Sequence, residues 1–137
     1  MAGSNQVAAR RWGPDGGYSV VEASITLPVV ILLSLLVVQW ALIWHGRHVA
    51  EAAAQTGLRH ARGYQATSAA GQQAAVDYLH NVAPRLLTSS RVDVTRTPTT
   101  VSVHVHAEVL PVVPGLSGLM AGSIDQNVSG PVERFVP

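Results

Sequence analysis

The feature that most limits how this chain can fold is an apolar run from Ala23 to Trp44 that contains no charged side chain. A helix that rises 1.5 Å per residue needs ~20 residues to cross the hydrocarbon layer of a bilayer, and this run is about that long. Trp40 and Trp44 stand at its far end, where indole rings favour the headgroup zone, and Arg47 and His48 follow. The run therefore predicts a transmembrane helix. A buried core helix is the alternative, but a chain of 137 residues has little other protein to cover such a helix on every side.

Composition narrows the classes of function. Charged residues make up 12% of the chain and the net charge is +1, so no surface-wide field points to a nucleic-acid partner. Cysteine is absent, which excludes thiolate catalysis, disulfides and cysteine metal sites. No nucleophile elbow, phosphate-binding glycine loop or carboxylate pair is recognisable. The sequence predicts a protein that is not an enzyme and needs no cofactor.

The second informative stretch lies just before the apolar run. Gly16 to Pro28, "GGYSVVEASITLP", resembles the amino-terminal signature of class III signal-peptide substrates, the type IV pilin superfamily. In that family a short basic leader ends in glycine, and glutamate is the fifth residue of the mature chain. The spacing from Glu22 to Pro28 and the alanine-rich stretch 48–64, "HVAEAAAQTGLRHARGY", narrow the resemblance to TadE-like minor pilins (pseudopilins) of the tight-adherence (Tad/Flp-type) pilus system. Residues 129–135, "SGPVERF", give a weaker echo of the same family.

The resemblance implies a processing site, a domain division and a set of partners. Residues 1–17 would be a leader removed after Gly17 by a prepilin peptidase, so that the mature chain begins at Tyr18 and Glu22 is fifth. Residues 18–45 would form the transmembrane helix and residues 46–137 an exported α+β head. The implied partners are the prepilin peptidase, other Tad pilus and pseudopilin subunits, and the lipid membrane. The implied location is the cell membrane, single-pass, or a surface pilus.

The chemistry of Glu22 supports this interpretation without the family name. A charged side chain near the centre of a membrane helix costs roughly 2.5 to 3.5 kcal/mol, so such a group tends to have a partner. Cleavage after Gly17 would create one, because the new amino group of Tyr18 lies about one helical turn from Glu22 or can reach it from a neighbouring subunit. The resemblance assigns Glu22 a role in setting the stagger between subunits. The alternative is a glutamate in the headgroup zone at a helix amino end, where the helix dipole favours it.

Two further points stay open at the level of sequence. A signal peptidase cleaving within "VAEAAAQ", residues 49–55, would release a secreted domain after Ala54, although the apolar run is longer than a usual signal peptide. Arginine counting also leans against an exported head. Arg10 and Arg11 precede the apolar run, whereas three arginines follow it at positions 47, 59 and 62.

Beyond the membrane the sequence favours helix and then strand. The first helix is expected to continue to about Arg62, and a break is expected in "RGYQATSAAG", residues 62–71. Small residues recur at helical spacing along it and form a smooth stripe for another helix: Ala50, Ala53, Ala54, Gly57 and Ala61. A second helix, about Ser68 to Leu87, is expected to fold back onto the first. Its predicted inner face is made of Ala75, Leu79, Val82 and Leu86.

The period then changes to that of a strand. Val101, Val103, Val105, Ala107 and Val109 alternate with polar residues, which predicts a strand whose valines cover the helices. This strand would form a hairpin that turns at Pro98, with Val92 and Val94 beginning the partner strand. Leu110–Ser123 predicts an apolar loop with a short helical turn, and a last strand is expected near Ile124–Val132. The predicted fold class is α+β: a long amino-terminal transmembrane helix extends into a small exported head with a second helix packed on a short antiparallel sheet.

One cluster suggests a different class of function. His104, His106 and Glu108 fall on one strand face at i, i+2 and i+4, and the two histidines are weak candidates for a zinc site if a further ligand comes from elsewhere. A membrane-tethered metal-binding or sensor domain is therefore the rival hypothesis. An ordinary solvated strand face is the interpretation that we favour.

Overall fold

A computed structural model describes residues 16–112, 118 and 122–134. The predicted leader, apart from its last two residues, and most of the predicted helical turn within Leu110–Ser123 lie outside these residues. By packing, the chain separates into two compact units, Met1–Ser34 and Leu35–Pro137. The elements are α1 (Gly16–Arg62), α2 (Ser68–Val82), β1 (Leu87–Arg96), β2 (Thr100–Val109) and β3 (Gly122–Pro131). The predicted α+β class is confirmed.

Helix α1 is a single helix of 47 residues, and it continues past the apolar run to Arg62 as the sequence predicts. Pro28 lies inside it without ending it. Arg59, His60 and Arg62 occupy the last turn, where positive charge favours the negative end of the helix dipole.

Helix α2 begins and ends at recognisable local signals. The hydroxyl of Thr67 accepts a hydrogen bond from the backbone N–H of Ala70 at 3.1 Å, which caps the first turn. The helix ends at Val82 and not at Leu87, so the predicted carboxyl end was wrong. Pro84 explains the difference, because a proline has no N–H to donate and disfavours helical backbone in the residue before it.

The inner face of α2 is also shorter than the sequence predicts. Ala75 and Leu79 are buried, as expected, and Gly71 joins them one turn earlier. Val82 is 47% exposed, so its predicted place on this face was wrong. Leu86 lies beyond the helix end, where its carbonyl accepts a hydrogen bond from the N–H of Leu110 at 3.0 Å.

The prediction that α2 folds back onto α1 is confirmed by contacts between small residues. A Cβ atom built on Gly71 would stand 2.6 Å from the Cβ of Ala61 and 2.7 Å from the carbonyl oxygen of Gly57. A Cβ built on Gly57 would lie 2.9 Å from the carbonyl oxygen of Gly71. The two backbones therefore approach as closely as they do because neither of these positions carries a side chain.

The three strands form one antiparallel sheet in the order β1-β2-β3, with β2 in the centre. β1 and β2 form the predicted hairpin around Pro98, and Thr97 and Thr100 close the turn through backbone and hydroxyl hydrogen bonds. β1 begins at Leu87, five residues before the predicted start at Val92, and β3 spans Gly122–Pro131. A register shift between Leu87 and Ser89 marks a bulge at the early end of β1.

The sheet has one buried and one open face. Alternate residues of β2 are buried, as the valine pattern predicts, and they pack against the helices together with Val92 and Ile124. Small side chains of α1 form the other half of this core, and four of them are fully buried: Ala50, Ala53, Ala54 and Ala61. The stripe predicted along α1 therefore lies under both α2 and the sheet.

Candidate functional site

The amino-terminal part of α1 has a largely apolar surface, and two of its serine hydroxyls form hydrogen bonds within the helix. Every described side chain from Val20 to Ser34 is exposed. The hydroxyl of Ser24 donates to the carbonyl of Val20 at 2.8 Å, and that of Ser34 donates to the carbonyl of Val30 at the same distance. Such bonds satisfy these two hydroxyls without water, as a lipid environment favours. Among the described residues this is the one helix long and apolar enough to cross a membrane.

Glu22 lies in this exposed part of α1, six residues after the helix begins at Gly16. It is the first of the acidic residues in the described chain, and the next one in the sequence is Glu51. Residues four apart on a helix face each other, so the backbone nitrogen of Tyr18 is about one turn below the Glu22 side chain. Gly17 and Tyr18 belong to the first turn of α1. Their predicted role in processing and that of Glu22 in assembly stay predictions.

Comparison with known protein families supports the resemblance seen in this stretch. Residues 17–59 match the model of a family described as TadE-like protein. Over these residues the chain is similar to TadE-like proteins. The match begins at Gly17 and covers α1 nearly to its end, and the predicted resemblance to TadE-like proteins is confirmed. No curated protein and no solved structure matches the chain significantly.

The TadE-like segment does not include α2 or the sheet, which α1 nevertheless holds in place. Arg96 of β1 donates from its guanidinium to the carbonyls of Ala61 and, at 3.3 Å, of Gly63. The Ala61 carbonyl lies in the last turn of α1, where carbonyls have no partner within the helix, and Gly63 follows the helix end. Glu133 donates its backbone N–H to the Arg62 carbonyl at 2.9 Å, and the two side chains form an ion pair at 3.2 Å. Sequence analysis missed these contacts, since nothing in the spacing connects them.

The two candidate histidines lie on the open face of the sheet, where they share a carboxylate. The Nδ1 atom of His106 lies 2.8 Å from the Oδ1 atom of Asp125, and the Nε2 atom of His104 lies 3.6 Å from the same oxygen. The register places Asp125 directly opposite His106 across the β2–β3 pair. All three side chains are at least two-fifths exposed, with values of 45%, 41% and 57% for His104, His106 and Asp125.

This arrangement offers little support for a metal centre. In the part of the chain that the structure describes, no group of three or more histidine, aspartate or glutamate residues is arranged to hold a metal ion. Arg91 of β1 is the register partner of His106, which brings a positive charge to the same face. The sequence had not pointed to Asp125, because only the pairing of β3 with β2 brings it to the histidines. We interpret the face as a solvated network of polar side chains.

A further residue that sequence analysis missed is Gln39, inside the apolar run. It is only 2% exposed, and its Oε1 atom accepts a hydrogen bond from the backbone N–H of Val112 at 2.9 Å. A single uncharged amide within a hydrophobic stretch does not by itself indicate that its side chain is buried and hydrogen-bonded. Its burial shows that the last part of the apolar run already belongs to the unit that begins at Leu35.

Proposed function

We propose that the protein is a membrane-anchored minor pilin of the Tad type, cleaved after Gly17 by a prepilin peptidase and taking part in assembly of an adhesive pilus. The observation that carries this proposal is the coincidence of the family match with the helix. The match begins at Gly17, and the helix that it covers carries no charged side chain from Ala23 to Trp44. We infer a structural role in an assembly and not a catalytic one.

The local structure around Gly17 supports a processing role. A peptidase takes extended backbone into its active site, so the start of α1 must unwind for cleavage. Gly16 and Gly17 occupy the first positions of the helix. A glycine costs about 1 kcal/mol relative to alanine within a helix and less at its first positions, so two of them still make this end easier to open. Glycine also leaves no side chain in the way of the cleaving residues.

The position of Glu22 supports a role in assembly. Cleavage would place the new amino group at Tyr18, one turn from a carboxylate that lies on an exposed helix surface. In a low-dielectric environment an unpaired carboxylate is costly, so Glu22 favours any arrangement that brings an amine to it. A neighbouring subunit whose helix is shifted along the axis can supply that amine, and Glu22 then fixes the shift between subunits.

Substitution of Gly17 tests the processing step. We expect Gly17→Val to abolish the mobility difference between precursor and mature protein on gel electrophoresis, because the branched side chain blocks the cleavage site. Gly13→Val, the same change four residues earlier in the leader, serves as the control and leaves processing intact. Normal processing of Gly17→Val would contradict the assignment.

Substitution of Glu22 tests the assembly step separately. We expect both Glu22→Ala and Glu22→Gln to insert into membranes and to be processed, yet to lower the number of assembled pili. Thr26→Ala, one turn further along the same helix, is the matched control and is expected to assemble normally. Normal piliation in the Glu22→Gln variant would remove the role that we give to the charge.

A further inference from the structure

Residues 35–48 of α1 have two faces of opposite kind. One face packs into the core of its own unit and includes Gln39, Gly46 and the half-buried Leu42 and Ile43. The other face is exposed; it is apolar as far as Trp44 and then carries His45, Arg47 and His48. Its largest exposed side chains are Val37 at 70%, Trp40 at 72% and Trp44 at 66%. Exposing two indoles one helical turn apart to water is unfavourable, and an exposed apolar patch of this kind marks a surface that contacts lipid or another protein.

The packed face shows where along α1 the later parts of the chain first contact this helix. The N–H of Val112 binds the side chain of Gln39, as described above. A Cβ atom built on Gly122 would stand 2.6 Å from the Cγ1 atom of Ile43, so β3 begins in direct contact with the same part of the helix. Lipid therefore cannot surround α1 on all sides at this level, although the apolar run continues to Trp44.

The charge pattern identifies the cover of the exposed face as lipid. No charged residue occurs between Glu22 and Arg47, and the next acidic residue after Glu22 is Glu51. Between Glu108 and Asp125 the sequence also carries no charge, and the described residues that flank positions 113–121, Val112 and Gly122, both lie at this level of α1. The first charged side chain after the apolar run is Arg47, and a basic group at this position is compatible with contact to phosphate headgroups.

The two indole rings are suited to the headgroup layer of a bilayer. Tryptophan concentrates at the headgroup level because its ring is apolar and its N–H can donate to a polar partner. The ring of Trp44 packs edge-on against that of His48 with centroids 4.5 Å apart, which orders the last indole beside the first ionisable groups after the run.

We propose that Trp40 and Trp44 lie in the headgroup layer of the bilayer, so that lipid covers the exposed face of residues 35–44 while the rest of the unit that begins at Leu35 covers the opposite face. This inference depends on the membrane anchor proposed above. It specifies which surface of the anchor contacts lipid and how deep Trp40 and Trp44 lie in the bilayer.

The test uses tryptophan fluorescence of the full chain in vesicles of zwitterionic and anionic phospholipid. The three tryptophans are Trp12, Trp40 and Trp44. A Trp12→Phe background with either Trp40→Phe or Trp44→Phe leaves a single emitting residue. Lipids brominated near the headgroup and lipids brominated near the bilayer centre report its depth, and aqueous acrylamide reports its contact with water.

A matched control places the same reporter at the other end of the helix. Tyr64→Trp, with the three native tryptophans changed to phenylalanine, puts an indole at a position that is 70% exposed and lies beyond the end of α1. We expect shallow bromines to quench Trp40 and Trp44 more strongly than deep ones, and acrylamide to quench them weakly. The control should show the reverse: loss of emission with acrylamide and none with either brominated lipid.

Three outcomes would overturn the inference. Trp40 and Trp44 could behave like the Tyr64→Trp control, or the deep bromines could quench them most strongly. Quenching could also disappear as the protein-to-lipid ratio rises, which would make a partner helix the cover and not lipid. Alkaline extraction of the vesicles separates the two proposals. Protein that is stripped off by alkali overturns the anchor as well, whereas retained protein with the wrong quenching pattern overturns this inference alone.

Discussion

The two ends of α1 use apolar residues in opposite ways. From Val20 to Ser34 most of the side chains are large and apolar, and every one of them is exposed. From Ala50 to Ala61 the apolar side chains are mostly small, and those of the alanine stripe are fully buried. Within a soluble core the large residues would be inside, because burial of a larger apolar surface stabilises more. The difference indicates that the first segment is suited to an apolar solvent. The small side chains of the second segment allow the backbone of neighbouring elements to approach it closely.

The largest effect is expected from charge placed in the first segment. Val29→Arg together with Leu33→Arg puts two arginines one turn apart in the membrane helix, at a cost of roughly 2.5 to 3.5 kcal/mol each. We expect most of the protein to be lost from the alkali-resistant membrane fraction. Val29→Ala with Leu33→Ala is the control and should stay membrane-bound. Retention of the arginine variant would break the proposed assignment of this segment to lipid.

The packing of α2 on the second segment should be sensitive to the size of the side chains at their contact. Gly71→Ala places a methyl group 2.6 Å from the Cβ of Ala61 and 2.7 Å from a carbonyl oxygen, where backbone and not a flexible side chain must move. We expect a loss of about 1–3 kcal/mol in the free energy of unfolding, measured by urea denaturation in detergent. Gly63→Ala is the control, since its nearest contact would be an ordinary 3.7 Å. Equal stability of the two variants would contradict the close helix packing.

Between the two segments, α1 changes from exposed to packed, and Gln39 is the buried polar residue in this part of the helix. Gln39→Leu removes the acceptor for the N–H of Val112 in a buried place, which is expected to cost about 1–3 kcal/mol. Hydrogen exchange at the Val112 amide is the direct measurement, and its protection should fall. Gln73→Leu removes only an exposed hydrogen bond to Asp77 and should leave that amide unchanged. Full protection of Val112 in Gln39→Leu would show that the amide side chain does not fix this boundary.

The smallest effect is expected on the open face of the sheet. Asp125→Asn weakens the contacts to His104 and His106, but all three side chains are largely solvated. Exposed ion pairs contribute little, and we expect the free energy of unfolding to change by less than about 0.5 kcal/mol. A large loss of stability, or stoichiometric zinc that disappears in His104→Ala, would favour the rival metal-binding hypothesis.

Much of the fold follows from local pattern. The charge-free run predicts the exposed helix, the small-residue stripe predicts the packing of α2 on α1, and the alternating valines of β2 predict its buried face. Each of these signals lies within one element, so periodicity alone reveals it. The end of α2 was missed although Pro84 marks it, because the apolar spacing that continues to Leu86 was given more weight than the proline.

The remaining features depend on contacts between residues distant in sequence. Asp125 reaches the histidines through strand register, Arg96 reaches the end of α1 across the core, and Gln39 meets Val112 from 73 positions away. No local signal in a single sequence encodes such pairs. The boundary between membrane helix and head stays a prediction. Hydropathy places it at residues 45 and 46, whereas packing separates the chain at Ser34 and Leu35.

The amino-terminal sequence of the protein isolated from membranes tests the central claim most directly. The account predicts a mature chain that begins at Tyr18, which makes Glu22 the fifth residue and leaves the apolar segment of α1 intact. A chain that begins at Met1 would contradict cleavage by a prepilin peptidase. A chain that begins near Gln55 would contradict the membrane anchor as well, because the released domain would lack the whole apolar run.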